Sequence, residues 1–326
     1  MTSSASRRQT SSKQRDRLPM ADMRVRRSTT PGSRQQPGSG WSFASVRRLA
    51  GDWLPALPLI VVIVAVLIAP AFVLVVGSFD VGSGELGMAS WEAMLNRRGD
   101  VASIWTTLAL SATVATIATV VGGPLAWILS RMAPVHRATW LALLTVGGNF
   151  GGIGLGFAYF TVLGTTGMLT ILLQGIGLGI VPPRPSSFEG LVIGYLYTNV
   201  PLFVLLTIPA MGALRDEWWE AAQVASATRW QFWWRVGIPV LTPFIGAGWL
   251  LIFTWSVGLY GLAYALAGGG AAAGVSVMTL RIGSILTSDI TATPRAYALA
   301  VLLMAIAIVS LLAYRVAVRR GMRWYR

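Results

Sequence analysis

The sequence predicts an all-α integral membrane protein with six transmembrane helices and a helical loop on its cytoplasmic face. Three observations carry that expectation. Of 326 residues, 54% are hydrophobic and only 12% are charged, about half the charged share of a typical soluble domain. The mean hydropathy is +0.63. Six apolar runs each reach the roughly 20 residues that a helix needs to cross a bilayer core. Cysteine is absent and His136 is the single histidine. Disulfides, thiolate metal sites and histidine-based metal or acid–base clusters are therefore excluded within this chain. No catalytic residue, metal site or cofactor is assigned.

Residues 1–52 are rich in Ser, Gln, Arg and Gly and lack apolar periodicity, which predicts a disordered basic tail. Residues 53–326 form the predicted transmembrane domain. Its first run, 54–79, begins too late and is too long for a signal peptide, and Pro55 and Pro58 fall in its first turn, where missing amides cost little. Further spans are predicted at 104–128, 139–163, 191–213, 241–262 and 296–318. Two shorter apolar stretches, 168–180 and 275–286, read as interfacial or re-entrant segments. The spans are read as free of Asp, Glu, Lys and Arg, so a relay along buried charges is not expected.

Charge sets the orientation. Most of the 26 Lys and Arg fall in the tail, in the segments 129–138 and 214–240, and at the C-terminus, while the three opposite loops hold only Arg97, Arg98, Arg184, Arg281 and Arg295. Cytoplasmic loops collect Lys and Arg, so both termini are expected in the cytoplasm of a multi-pass plasma-membrane protein. The +14 net charge then serves topology rather than nucleic acid, and the tail reads as solvated. His136, beside Arg137, reads as solvated too.

The loop between the fourth and fifth spans, Arg215 to Pro239, is too long and too patterned for a turn. Asp216, Glu217 and Glu220 suit a helix start, and Ala221 and Ala222 are strong helix formers. Ser226 interrupts the pattern. Thr228 and Gln231 form a capping box that opens a second short helix, expected to end before Pro239. The coupling helices are placed at 215–238.

Glu220, Ala221, Ala222, Ala227, Trp230, Gln231, Phe232, Arg235, Val236, Ile238 and Pro239 stand in the register of the Glu-Ala-Ala motif, and with the six-span setting the chain resembles the permease subunits of binding-protein-dependent ABC importers of type I. Trp91-Glu92, Gly123-Pro124-Leu125-Ala126 and Pro209 extend the likeness more loosely. Ser226 departs from it, standing where the family has Gly; a serine there requires either a strained backbone or a different turn. The resemblance implies a coupling element that docks on a separate cytosolic ABC ATPase, with Glu220 facing that interface and Ala221, Ala222, Ser226, Ala227, Arg229, Trp230, Phe232, Arg235 and Pro239 shaping it. It further implies a second permease subunit and an extracytoplasmic solute-binding protein. Trp218, Trp219, Trp230, Trp233 and Trp234 suit either anchoring at the bilayer surface or direct docking. The motif's second half is more similar to polyamine, ferric iron, thiamine and phosphonate permeases than to sugar permeases.

The only lysine is Lys13, so no P-loop exists and ATP hydrolysis belongs to another polypeptide. A secondary transporter or channel is the alternative, usually marked by intramembrane charges or a repeated half. A membrane-bound enzyme lacks catalytic groups. For the solute passage, the candidates are Asn149, Asn199, Trp255, Ser256 and Tyr260, neutral polar and aromatic groups that could pass a cationic or hydroxylated solute. Asn149 is expected to bond a neighbouring helix or to line the passage. Gly148, Gly152 and Gly156 are expected on one helical face, serving close packing or a flexible gate.

Overall fold

A computed structural model describes residues 57–80, 86–164, 167–177, 183–268, 275–288 and 290–322. The expected tail, 1–52, lies outside the described residues, and all of these but Leu57 and Pro58 belong to one unit, Leu59–Arg326. The chain opens with α1 (Leu57–Ile63), a π-turn at Val64–Ile68 and α2 (Ala69–Ser78). These run together as an apolar span whose side chains remain mostly exposed. A helix apolar all round is suited to lipid. A short α3 (Ala89–Asn96), containing Trp91 and Glu92, precedes the long α4 (Arg98–Ser130).

The third predicted span is broken. It comprises α5 (Pro134–Asn149) and α6 (Gly152–Leu163), separated by Phe150 and Gly151, and is followed by α7 (Met168–Gly175). By length and composition alone, Gly152–Gly175 would count as the crossing. Packing along α8 (Phe188–Met211) decides otherwise. Arg137 of α5 shares a cleft with Pro209 and Met211 at one end of α8. Gly147 packs on Pro201 and Gly151 on Thr198, about halfway along. Gly156 then meets Ala265, one residue from Leu266, which packs on Gly194 towards the other end. So α5 and α6 lie in series along α8. The carbonyl of Gly164 accepts from the Gly167 amide and the Thr170 hydroxyl, turning the chain before α7. The glycine expectation is corrected by this break: Gly148 faces α8, Gly156 faces Ala265, and Gly152 (φ +75°) lies at the break instead of on a shared face.

Beyond α9 (Asp216–Val224) and α10 (Arg229–Phe232) comes a second π-turn, Trp233–Gly237, which leads directly into α11 (Ile238–Val257). The expected helix stop before Pro239 does not occur. Both π-turns precede a proline by two residues, Pro70 and Pro239. The amide after each turn bonds five residues back, Ala69 to Val64 and Ile238 to Trp233. That wider turn accommodates the proline ring against the preceding carbonyls without ending the helix. The fifth span breaks at 258–260 and resumes as α12 (Gly261–Leu266). Then follow α13 (Met278–Ser288), the second short segment, and α14 (Thr293–Met322).

Among the described residues, six helical stretches, Gly152–Gly175 included, are long and apolar enough to cross a membrane. Buried Phe203 marks the centre: a Cβ on Gly122 of α4 or Gly248 of α11 would come within 3 Å of its ring, so glycine lets three helices meet there.

The expectation of charge-free spans is corrected at one place, and a buried charge lies just outside another span. Arg315 lies inside 296–318, near Arg319 and Arg320 in the last turn of α14. Asp100, in the first turn of α4, is fully buried; Arg281 donates to it through Nε at 2.6 Å and Arg295 Nε stands at 3.5 Å. This ion triad ties α13 and α14 to α4 at the end of the bundle away from α9 and α10.

Candidate coupling site

The segment Arg215–Pro239 forms two short helices with distinct faces. Trp218, Trp219 and Ala222 of α9 turn inward, and with Phe232, Trp233 and Val236 they join a cluster containing Trp127, Leu129, Met211 and Leu241. Trp233 meets Trp127 edge-on, with centroids 4.7 Å apart, and Trp219 meets Phe232 at 5.3 Å. Such edge-to-face pairs contribute about 0.5–1.5 kcal/mol beyond burial. The Arg131 guanidinium lies 4.4 Å above the Trp127 ring and is paired with Asp216, joining the end of α4 to the start of α9. These anchors at Trp127, Arg131 and Asp216 were not among the sequence candidates. An aromatic residue followed four positions later by Arg at a span end was the available signal.

The outward face is Glu217, Glu220, Ala221 and Val224, at the i, i+3, i+4, i+7 spacing of one helical stripe. All four are exposed, Val224 to 89%. Trp230 and Trp234 extend it, 71% and 55% exposed, with rings 5.5 Å apart. The tryptophans thus divide into three that anchor the element within the protein and two that stand free of it. Arg229 and Arg235 are exposed as well.

Between the helices the chain makes a Schellman turn: the Ser226 amide bonds Gln223 O and the Ala227 amide bonds Ala222 O, both at 2.9 Å. Ser226 occupies the left-handed position with φ +57°, alone among the described non-glycine residues. Of the two options left by the sequence, the structure takes the strained backbone, which glycine would adopt without a Cβ penalty. The capping box forms as expected: Gln231 N–H donates to Thr228 Oγ1 and Thr228 N–H to Gln231 Oε1.

The passage candidates do not form one group. Asn199 and Ser256 are buried, whereas Asn149, Trp255 and Tyr260 are exposed. Asn199 Nδ2 donates to Tyr195 O and Asn149 Nδ2 to Thr145 O, each within its own helix. For Asn149 this corrects the expected bond to a neighbouring helix, because the end of α5 leaves a carbonyl within its reach. Tyr260 stacks on Tyr264. His136 is exposed in the first turn of α5.

No protein-family model matches the chain. Its curated relatives include the spermidine/putrescine transport system permease protein PotB of Haemophilus influenzae, 26% identical over 57% of this chain and 63% of the relative. They also include the sulfate transport system permease protein CysT of Escherichia coli, 30% identical over 55% and 62%, and the molybdenum transport system permease protein ModB of Azotobacter vinelandii, 29% identical over 52% and 74%. The chain spans less than two thirds of the length of the first two. Among solved structures, a chain of a bacterial ABC transporter that imports the acidic polysaccharide alginate superposes with TM-score 0.65 at 18% identity, over 86% of this chain and 98% of that one. This chain has the fold of an ABC importer permease. Its relatives are ABC transporter permeases, in keeping with the family resemblance drawn from the sequence, and the protein is a multi-pass membrane protein.

Proposed function

We propose that the chain is the transmembrane permease subunit of an ATP-driven importer, forming half of a solute passage and coupling to a separate ATPase through residues 216–235. One observation carries this reading. The helix pair α9–α10 is fixed to the bundle by Trp219, Phe232 and Trp233 and presents Glu220, Ala221, Val224 and Trp230 bare on its other side. A rigid knob with an unpartnered face is what a motor needs to move the attached spans α8 and α11. ATP binds and is hydrolysed on the partner, both termini and the knob face the cytoplasm, a second permease completes the passage, and an extracytoplasmic binding protein delivers the solute. Polyamines, sulfate and molybdenum, named for the relatives, bound the solute to small and polar.

Co-purification from the native membrane tests the proposal. The wild-type chain should bring down an ATPase subunit, and Glu220→Ala should lower solute-stimulated ATP turnover about tenfold, the cost of removing one central interface contact, while the protein still inserts. Solute movement by the isolated chain without ATP would refute the reading in favour of a channel or secondary transporter.

A further inference from the structure

The break in the third span exposes a set of donors that nothing in the coupling mechanism uses. At Phe150–Gly151, halfway along α8, two helix ends face each other: the C-terminus of α5 and the N-terminus of α6. They differ in how their polar groups are satisfied. On the α5 side, Thr145 O takes the Asn149 side-chain amide and Val146 O takes the Phe150 amide. On the α6 side, no side chain caps the helix, and the first amides of any helix have no acceptor within it. Gly152 turns the chain with φ +75°, and a Cβ at Gly152 or Gly154 would meet nothing within 4 Å, so the side-chain positions at the start of α6 are open. Directly across from Gly151 is Thr198 of α8. Its hydroxyl is the nearest atom to a Cβ built on Gly151, at 3.6 Å. Thr198 is 4% exposed and its Oγ1 has no hydrogen-bond partner.

An unpartnered buried hydroxyl is costly, and here it adjoins uncapped amides at the positive end of a helix dipole. A cation would need free carbonyls or a carboxylate. Thr145 O and Val146 O already accept hydrogen bonds, and no Asp or Glu lies between residues 101 and 188 to neutralise a cation. An anion finds donors on both sides. We infer that this break is an anion station on the solute passage, which receives a small oxyanion through the Gly152–Gly154 amides and the Thr198 hydroxyl. The inference rests on the permease reading and narrows its solute to an anion.

The test uses the full chain purified in detergent micelles and inorganic sulfate as probe, with ionic strength held constant by chloride, and reads the thermal unfolding midpoint. Sulfate should raise the midpoint saturably, whereas spermidine at equal concentration should not. Thr198→Val should weaken apparent sulfate affinity about tenfold, the effect of one hydrogen bond to a charged ligand. Thr198→Ser should restore it, and Gly154→Leu, which fills open space, should abolish it. A sulfate response no greater than that of chloride overturns the inference. So does unchanged affinity in both Thr198→Val and Gly154→Leu, or a saturable response to spermidine. The importer reading fails separately: sulfate binding with no associated ATPase would sink that reading alone, and ATPase association without sulfate binding would sink only the anion station.

Discussion

Ser226 offers a direct measurement of the strain in the turn between α9 and α10. Its φ of +57° holds a Cβ where left-handed backbone brings it close to the following carbonyl, at a cost of about 1 kcal/mol. Glycine removes that cost but adds about 0.5 kcal/mol of unfolded-state entropy, so Ser226→Gly should stabilise the turn by roughly 0.5 kcal/mol. Valine, with a branched Cβ, should lose about 1 kcal/mol or more at this φ. The two variants should therefore differ by roughly 1.5–2 kcal/mol, at least a tenfold difference in local opening. The reporters are the amides of residues 226 and 227, which bond Gln223 O and Ala222 O, and hydrogen exchange on the detergent-solubilised protein reads them. Global melting is the wrong measure, because an exposed two-helix element opens before the bundle. Relative to wild type, exchange should slow in the glycine variant and speed up in the valine variant. Equal exchange in all three proteins would refute the left-handed assignment, and faster exchange with glycine would show that the serine hydroxyl, not the backbone, holds the turn.

Asp100→Asn should destabilise the bundle by about 3 kcal/mol, because Arg281 and Arg295 would be left partly buried with a neutral neighbour; a lower thermal midpoint, partly recovered by adding Arg281→Met, checks it. Gly156→Leu should cost about 1–3 kcal/mol by overpacking against Ala265 and the Leu262 carbonyl. Gly123→Leu, where a Cβ meets nothing within 4 Å, should leave the midpoint nearly unchanged, and the two are compared in one thermal-unfolding series.

Most of the element plan was legible because lipid imposes it. A span needs about 20 apolar residues with all backbone groups bonded internally, so hydropathy located the crossings. The Thr228–Gln231 box was legible, and so was a turn at Ser226, although not whether it is strained, since a cap and a turn involve only residues a few positions apart. The paired faces of α9 and α10 were half legible. The Glu220 side followed from the motif, but the anchoring of Trp219 and Trp233 on Trp127 depends on α4, about a hundred residues away in sequence.

Composition and periodicity therefore determined by themselves that this is a helical membrane protein and where its apolar runs fall, because those properties belong to contiguous segments facing a uniform solvent. Tertiary structure alone decided where the third span breaks, that Asp100 is buried between two arginines, and that Thr198 faces the uncapped start of α6. Each of those depends on what a distant helix places opposite the residue, and the free energy of a polar group or a glycine is set by that neighbour rather than by its position in the chain.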